Sequence, residues 1–166
     1  MQGCSGSWRK QRTKVYQMNS KPVVLVKKLK ENALIPHYKS LMAAGADIYA
    51  CLDQAVDLQA HERVIIPSGI AIELPPGYEA QVRPRSGLAH THGVTCLNSP
   101  GTVDSDYRGE VCVILINHGN TSFRIENGDR IAQLVVAPVS TAEFCVVEDL
   151  TSTDRGANGF GSTGLR

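Results

Sequence analysis

The sequence predicts an all-β domain, a barrel or a jelly-roll-like sandwich, and three observations carry that prediction. Short runs of β-branched and aliphatic residues recur along the chain, each bounded by Gly, Pro, Asn or Asp. Helical periodicity is nearly absent, since Leu88–His92 alone suggests a helical turn. The 166 residues suit one compact domain, and a chain of this length buries about two-thirds of its unfolded surface without needing a disulfide or a metal.

The elements follow in order. Residues 1–21 begin with MQGCSGSWRKQRTKVYQMNS, which has no sustained period and few aliphatics, and they read as a disordered basic extension. Val23-Val24-Leu25-Val26 is the first strand-like run, and Ala46–Leu52 is a short mixed one. Val64–Leu74 has two apolar halves separated by Pro67-Ser68-Gly69, and the second half alternates Ile70, Ile72, Leu74. Pro75-Pro76-Gly77 turns the chain into Tyr78–Val82. Val111–Ile116 is continuously apolar and suits a strand buried on both faces. Thr121–Ile125, Ile131–Val139 and Glu143–Val147 complete the set, separated by His118-Gly119-Asn120, Asn127-Gly128-Asp129 and Ser140-Thr141. Residues 22–150 thus form the β domain. Residues 151–166 (TSTDRGANGFGSTGLR) are too glycine-rich to add a strand and read as a mobile arm.

A formal charge of +1 conceals an uneven distribution: residues 1–30 hold eight Lys/Arg and no acid, leaving nine basic against sixteen acidic residues in the rest. Eight of those nine are Arg, Lys39 being the exception. An acidic body without a broad Lys/Arg face is not expected to bind nucleic acid stably. Its few guanidinium forks suit phosphate or carboxylate. No apolar run approaches the length of a membrane span, and the basic N-terminus lacks the apolar core of a secretory signal, so a cytoplasmic protein is expected, with an organelle or the nucleus as the alternative in a eukaryote, where basic extensions can serve as addresses. The five cysteines are scattered without C-x-x-C; Cys112 and Cys145, inside apolar runs, read as small core residues.

Several segments bear chemistry. Gly159-Phe160-Gly161-Ser162-Thr163-Gly164 fits G-x-G-x-x-G, but no helix can follow it, so the dinucleotide-fold reading fails. The same residues can still wrap an anion with backbone N–H groups, with Arg155 as a fork and Phe160 as a stacking face; a plain flexible tail is the alternative. Arg83-Pro84-Arg85-Ser86-Gly87 offers two forks and a hydroxyl at a turn, or simply salt-bridged surface arginines. Asp104 and Asp106 lie on one side of an extended segment between Gly101 and Gly109. One of them can serve as a general base or approach a hydrated metal; alternatively, both cap their own turn. Asp47 and Asp129 each stand beside a turn that opens a strand.

Taken together and in order, these segments closely resemble the homotrimeric dUTPases (deoxyuridine triphosphate nucleotidohydrolases), whose five motifs all appear. They are Ala44–Ala50 (AGADIYA), Pro84–Ala89 (PRSGLA), Gly101–Gly109 (GTVDSDYRG), Gly128–Leu134 (GDRIAQL) and Arg155–Gly164 (RGANGFGSTG), within a resemblance covering roughly residues 22–166. It implies a β-clip, jelly-roll-like barrel and hydrolysis of dUTP to dUMP and pyrophosphate, which limits uracil in DNA and supplies dUMP for thymidylate synthesis. It also implies Asp104 as the general base and Asn98, with main-chain groups around Thr102, Val103 and Cys112, as the uracil pocket. Tyr107 would lie under the deoxyribose. Arg85, Ser86, Gly87 and Gln133 would contact phosphates. Arg155, Phe160, Gly161, Ser162 and Thr163 would close over the substrate from a neighbouring subunit. Mg²⁺ would be chelated mainly by the triphosphate, with Asp47 reaching it through water. A dCTP deaminase, similar in fold, would need a different catalytic acid after the second motif and no Phe160–Gly164 arm. A nucleotide-sensing module would need no general base.

Overall fold

The computed structural model describes residues 21–159. Ten strands and one short helix run in the order β1 (Leu25–Lys28), β2 (Ala46–Tyr49), β3 (Val56–Leu58), β4 (Arg63–Glu73), β5 (Tyr78–Arg83), α1 (Ser86–His92), β6 (Val94–Cys96), β7 (Gly101–Val103), β8 (Glu110–Asn117), β9 (Phe123–Ile125) and β10 (Arg130–Pro138). They form two four-stranded antiparallel sheets, β1-β4-β8-β6 and β2-β10-β5-β7, and a small β3-β9 ribbon. The fold is all-β and jelly-roll-like.

Alternation places the core between the two large sheets. Ile48, Val82 and Leu134 from one sheet meet Ile66, Ile72, Val94, Val113 and Leu115 from the other, and Leu58 and Ile125 close the end. Ile66, Val94, Val113, Leu115 and Ile125 are each 0 % exposed.

Pro67-Ser68-Gly69 does not divide two strands; it is an irregularity within the single strand β4, where the register with β8 shifts between Pro67 and Ala71. The displaced backbone groups find partners. Gly69 N donates to Glu110 Oε1 at 2.6 Å, Cys51 N to Pro67 O at 2.8 Å, and Leu29 N to Gly69 O at 2.8 Å. Gly69 has φ +70°, and a Cβ there would fall 2.6 Å from Cys51 Sγ and 2.7 Å from the Ala33 methyl, so conformation and space both require glycine.

Three expectations are corrected. β8 is not buried on both faces: Val111, Val113, Leu115 and Asn117 point inward, while Cys112 is exposed and Ile114 and Ile116 are half-buried. An apolar outer face mimics double burial in sequence because it too is aliphatic. Cys112 and Cys145 are exposed; among the described residues the buried cysteines are Cys51 and Cys96. Glu143–Val147 forms no strand, for within one chain it has no ladder to join. Strands β3, β6 and β7, each 3 residues long, are too short to show a period.

Candidate active site

The site forms on the outer face of the β2-β10-β5-β7 sheet. Ala46 and Ile48 point into the core, so Asp47 points out. Gln133 pairs with Asp47 on one side and Arg83 on the other, forming a polar row across three strands. Gln133 Nε2 donates to Pro84 O at 2.9 Å and so ties β10 to the turn that leads into α1. Gly45 makes this possible, because a Cβ there would lie 2.4 Å from Gln133 Oε1.

Arg85 precedes α1 with extended backbone angles and turns its side chain back to the row. Its Nε lies 3.5 Å from Asp47 Oδ1, and its Nη1 donates to the carbonyl of Arg130 at 2.8 Å. Arg130 Nη1 donates to the other oxygen, Asp47 Oδ2, at 3.1 Å. Asp47 is therefore a carboxylate only 13 % exposed, held between two guanidiniums. Ser86 and Gly87 open α1 beside Arg85 and are exposed, with open space around Gly87 where a Cβ would be.

The segment of the third motif lies at the far edge of the same sheet. Thr102 pairs with Gln81 and points outward, whereas Gly101 and Val103 are buried. Asp104 follows β7, exposed, and its carbonyl accepts from Tyr107 N at 3.2 Å to close a turn. The Tyr107 hydroxyl donates to Glu110 O at 3.1 Å, and its ring lies against Gly109, where a Cβ would approach to within 2.5 Å of Cζ. Tyr107 is 45 % exposed, and its ring offers a flat surface. Asn98 lies in the loop before β7, its amide nitrogen 3.0 Å from where a Gly101 Cβ would be.

Other expected residues lie apart. Cys112 is on the outer face of the other sheet, opposite Pro67, and burial followed by the charge of Glu110 raises its thiol above the usual range. Arg155 Nε donates to Asn158 O at 2.9 Å within its own turn, and no hydrogen bond among the described residues joins it to Asp47. Phe160, Gly161, Ser162 and Thr163 lie outside the described residues. A groove of about 810 Å³ opens on the opposite face of β2 and β10 from the polar row, with Val24, Ile72, Leu134 and Val136 among its walls together with Lys21 and Lys39. Its walls are mainly apolar and include none of Arg85, Ser86, Asn98, Asp104 or Gln133, so the Arg85–Gln133 row suits a triphosphate better.

Comparison with known proteins decides the family. The family model for dUTPase matches residues 31–164. The chain belongs to the dUTPase family. It is 57 % identical to the deoxyuridine 5′-triphosphate nucleotidohydrolase of Treponema denticola over 138 residues, 83 % of this chain and 96 % of that protein. With the enzyme of the same name from Syntrophotalea carbinolica it shares 55 % over 142 residues, 86 % and 97 % of the two chains. Among solved structures it is similar to the Staphylococcus bacteriophage 80alpha dUTPase with dUpNHpp, at a TM-score of 0.79 and 29 % identity, covering 86 % of this chain and 99 % of that one. It also resembles a dUTPase variant from phage phi11 of S. aureus, described with a structural Mg(II) ion, at a TM-score of 0.71 and 25 % identity over 78 % and 99 % of the chains. The dUTPases thus share the β-clip, jelly-roll-like architecture described above.

Arg130 is the residue of this site that sequence reasoning left without a role. It stands three residues before Gln133, and an odd spacing in a regular strand implies opposite faces.

Proposed function

We propose that the chain, a dUTP diphosphatase by its family, hydrolyses dUTP to dUMP and pyrophosphate by in-line attack of water on the α-phosphorus. The observation that carries the site is the Asp47 carboxylate held by Arg85 and Arg130 beside Gln133, a pre-built edge of guanidinium and amide donors on an otherwise acidic body. Donors fixed before substrate arrives lose little freedom on binding it. Arg85, Ser86 and Gln133 would meet phosphate oxygens, and Gly87 would admit them closely.

Asp104, exposed at the end of β7, would take a proton from the attacking water. Asn98 and the backbone of Thr102 and Val103 would read the uracil edge, where a tight fit rejects a 5-methyl group. The exposed Tyr107 ring would pack under deoxyribose and leave no room for a 2′-hydroxyl. Cys112 would contribute through its main chain. Arg155, Phe160, Gly161, Ser162 and Thr163 would complete the site from another subunit.

The donor set fits a magnesium ion that travels with the substrate. Asp47 supplies a single carboxylate to the row, with each oxygen beside a guanidinium, and no group of three or more His, Cys, Asp or Glu among the described residues is placed to hold a metal. Mg²⁺ would neutralise triphosphate charge, and Asp47 would meet it through water.

A homotrimer with shared sites accounts for apolar surface left uncovered in one chain. Ile65 and Leu97, on the outer face that carries Cys112, are 62 % and 46 % exposed, and Phe144, Val146 and Leu150 beyond β10 are 94 %, 102 % and 88 % exposed. Consumption of dUTP would limit uracil in DNA, and the dUMP released would feed thymidylate synthesis. Hydrolysis in ¹⁸O-water followed by mass spectrometry tests the chemistry. Label in dUMP is expected; label in pyrophosphate instead would contradict attack at the α-phosphorus.

A further inference from the structure

The face of Arg130 is set by a bulge. Arg130 pairs with Tyr49, and Ala132 pairs with the adjacent Ile48, so Ile131 is an inserted residue without a partner of its own. Ile131 and Ala132 are both buried, at 1 % and 0 % exposed, which turns Arg130 onto the outer face with Gln133 and Asp47. There Arg130 acts through two unlike groups. Its guanidinium donates to Asp47 Oδ2, while its carbonyl accepts from Arg85 Nη1.

An unopposed carboxylate next to an arginine tends to close a two-point pair, which uses the fork edge that would otherwise grip phosphate. Arg130 occupies one oxygen of Asp47 and draws Arg85 Nη1 aside. Among the described residues no hydrogen bond takes Arg85 Nη2. We propose that Arg130 is a positioning residue: by holding Asp47 it prevents Arg85 from closing onto that carboxylate and keeps the Arg85 fork turned toward the β- and γ-phosphates. The inference rests on the dUTP reading above, with Arg130 acting through Arg85 rather than on the reacting atoms.

Calorimetric titration of the full chain with the Mg²⁺ complex of the α,β-imido analogue of dUTP, and separately with dUMP, tests it. Arg130→Met is expected to weaken the analogue about tenfold and dUMP less than about twofold, because dUMP lacks the outer phosphates. Arg130→Lys keeps a charge on Asp47 and is expected to retain affinity within about threefold. Asp47→Asn lowers affinity by itself through the lost contact with the metal's waters, but in that background Arg130→Met is expected to cost less than about twofold more, since a neutral amide no longer captures Arg85; a merely structural arginine would cost the same in both backgrounds. Equal weakening of both ligands, or a cost of Arg130→Met as large in the Asp47→Asn background as in the wild type, would overturn the proposal. If Arg130→Met does not fold, Arg130→Gln is read on the same ratio of the two affinities. Wild-type turnover separates the two readings. A wild type that binds the analogue but releases no dUMP refutes the activity and leaves the ratio to decide the role of Arg130, whereas one that fails to bind the analogue refutes both.

Discussion

The row around Asp47 and the chain beyond Pro138 differ in how their side chains are held. In the row, Asp47, Gln133 and Arg83 are fixed by strand pairing, and Asp47 and Gln133 are tied further to Arg85, Arg130 and Pro84. Residues 139–159 form no strand, and their large apolar side chains face outward. Phosphate donors belong on rigid strands because their orientation must exist before substrate binds. A cover for the substrate belongs on a segment that can open, since product has to leave. On the proposed reading the order of the motifs along the chain follows this division: the first four lie within or beside strands, and the fifth comes after the last strand.

The largest expected effect tests the rigid part. Asp104→Asn should lower kcat by about 10²–10⁴-fold while binding of the imido analogue stays within about tenfold, as loss of a general base would. Unchanged turnover would remove Asp104 from its role. Deleting Arg155–Arg166 should lower kcat by about 100-fold through lost closure over the substrate. Melting and light scattering should show the same assembly before and after; an unfolded or dissociated product would make this segment part of the scaffold. Gly45→Ala comes next, because its new Cβ must push the end of Gln133 away from Pro84 O. A rise in KM of about tenfold with little change in Tm is expected, equivalent to one lost hydrogen bond to a charged group. A large fall in Tm instead would show that this glycine serves packing rather than the site.

The remaining effect concerns the core alone and leaves the site untouched near neutral pH. Burial pushes the Cys96 thiol up to about 11 from an ordinary 9.0. The folded chain therefore holds that proton more tightly than the unfolded one, and the contribution of this thiol to stability should be flat below pH 9 and fall as pH rises from about 9 towards 11. The loss should reach at most roughly 3 kcal/mol, measured by denaturant unfolding, and Cys96→Ala should remove the slope. A slope that survives the substitution would assign it to another group.

Much of this was legible in the sequence because alternation is a local signal. Ile70, Ile72 and Leu74, the Pro75–Gly77 turn and the Asn127–Asp129 turn show in the order of residues alone. What stayed hidden depends on partners distant in sequence. The insertion at Ile131 appears only against β2, so the shared face of Arg130 and Gln133 was unreadable. Likewise Pro67–Gly69 looks like a chain break until Glu110 and Cys51 are seen to satisfy its backbone. Cys112 and Cys145 were misread because apolar neighbours imply burial only when the chain itself supplies the cover. The motif residues could be named from resemblance, but the grip of Arg85 and Arg130 on Asp47 is a fact of three-dimensional register.

The most direct test is a product assay with dUTP, dTTP, dCTP and UTP in the presence of Mg²⁺. Release of dUMP and pyrophosphate from dUTP, with the methylated base, the cytosine base and the ribonucleotide all rejected, is the predicted result. Ammonia from dCTP, or no turnover of any nucleotide, would contradict it.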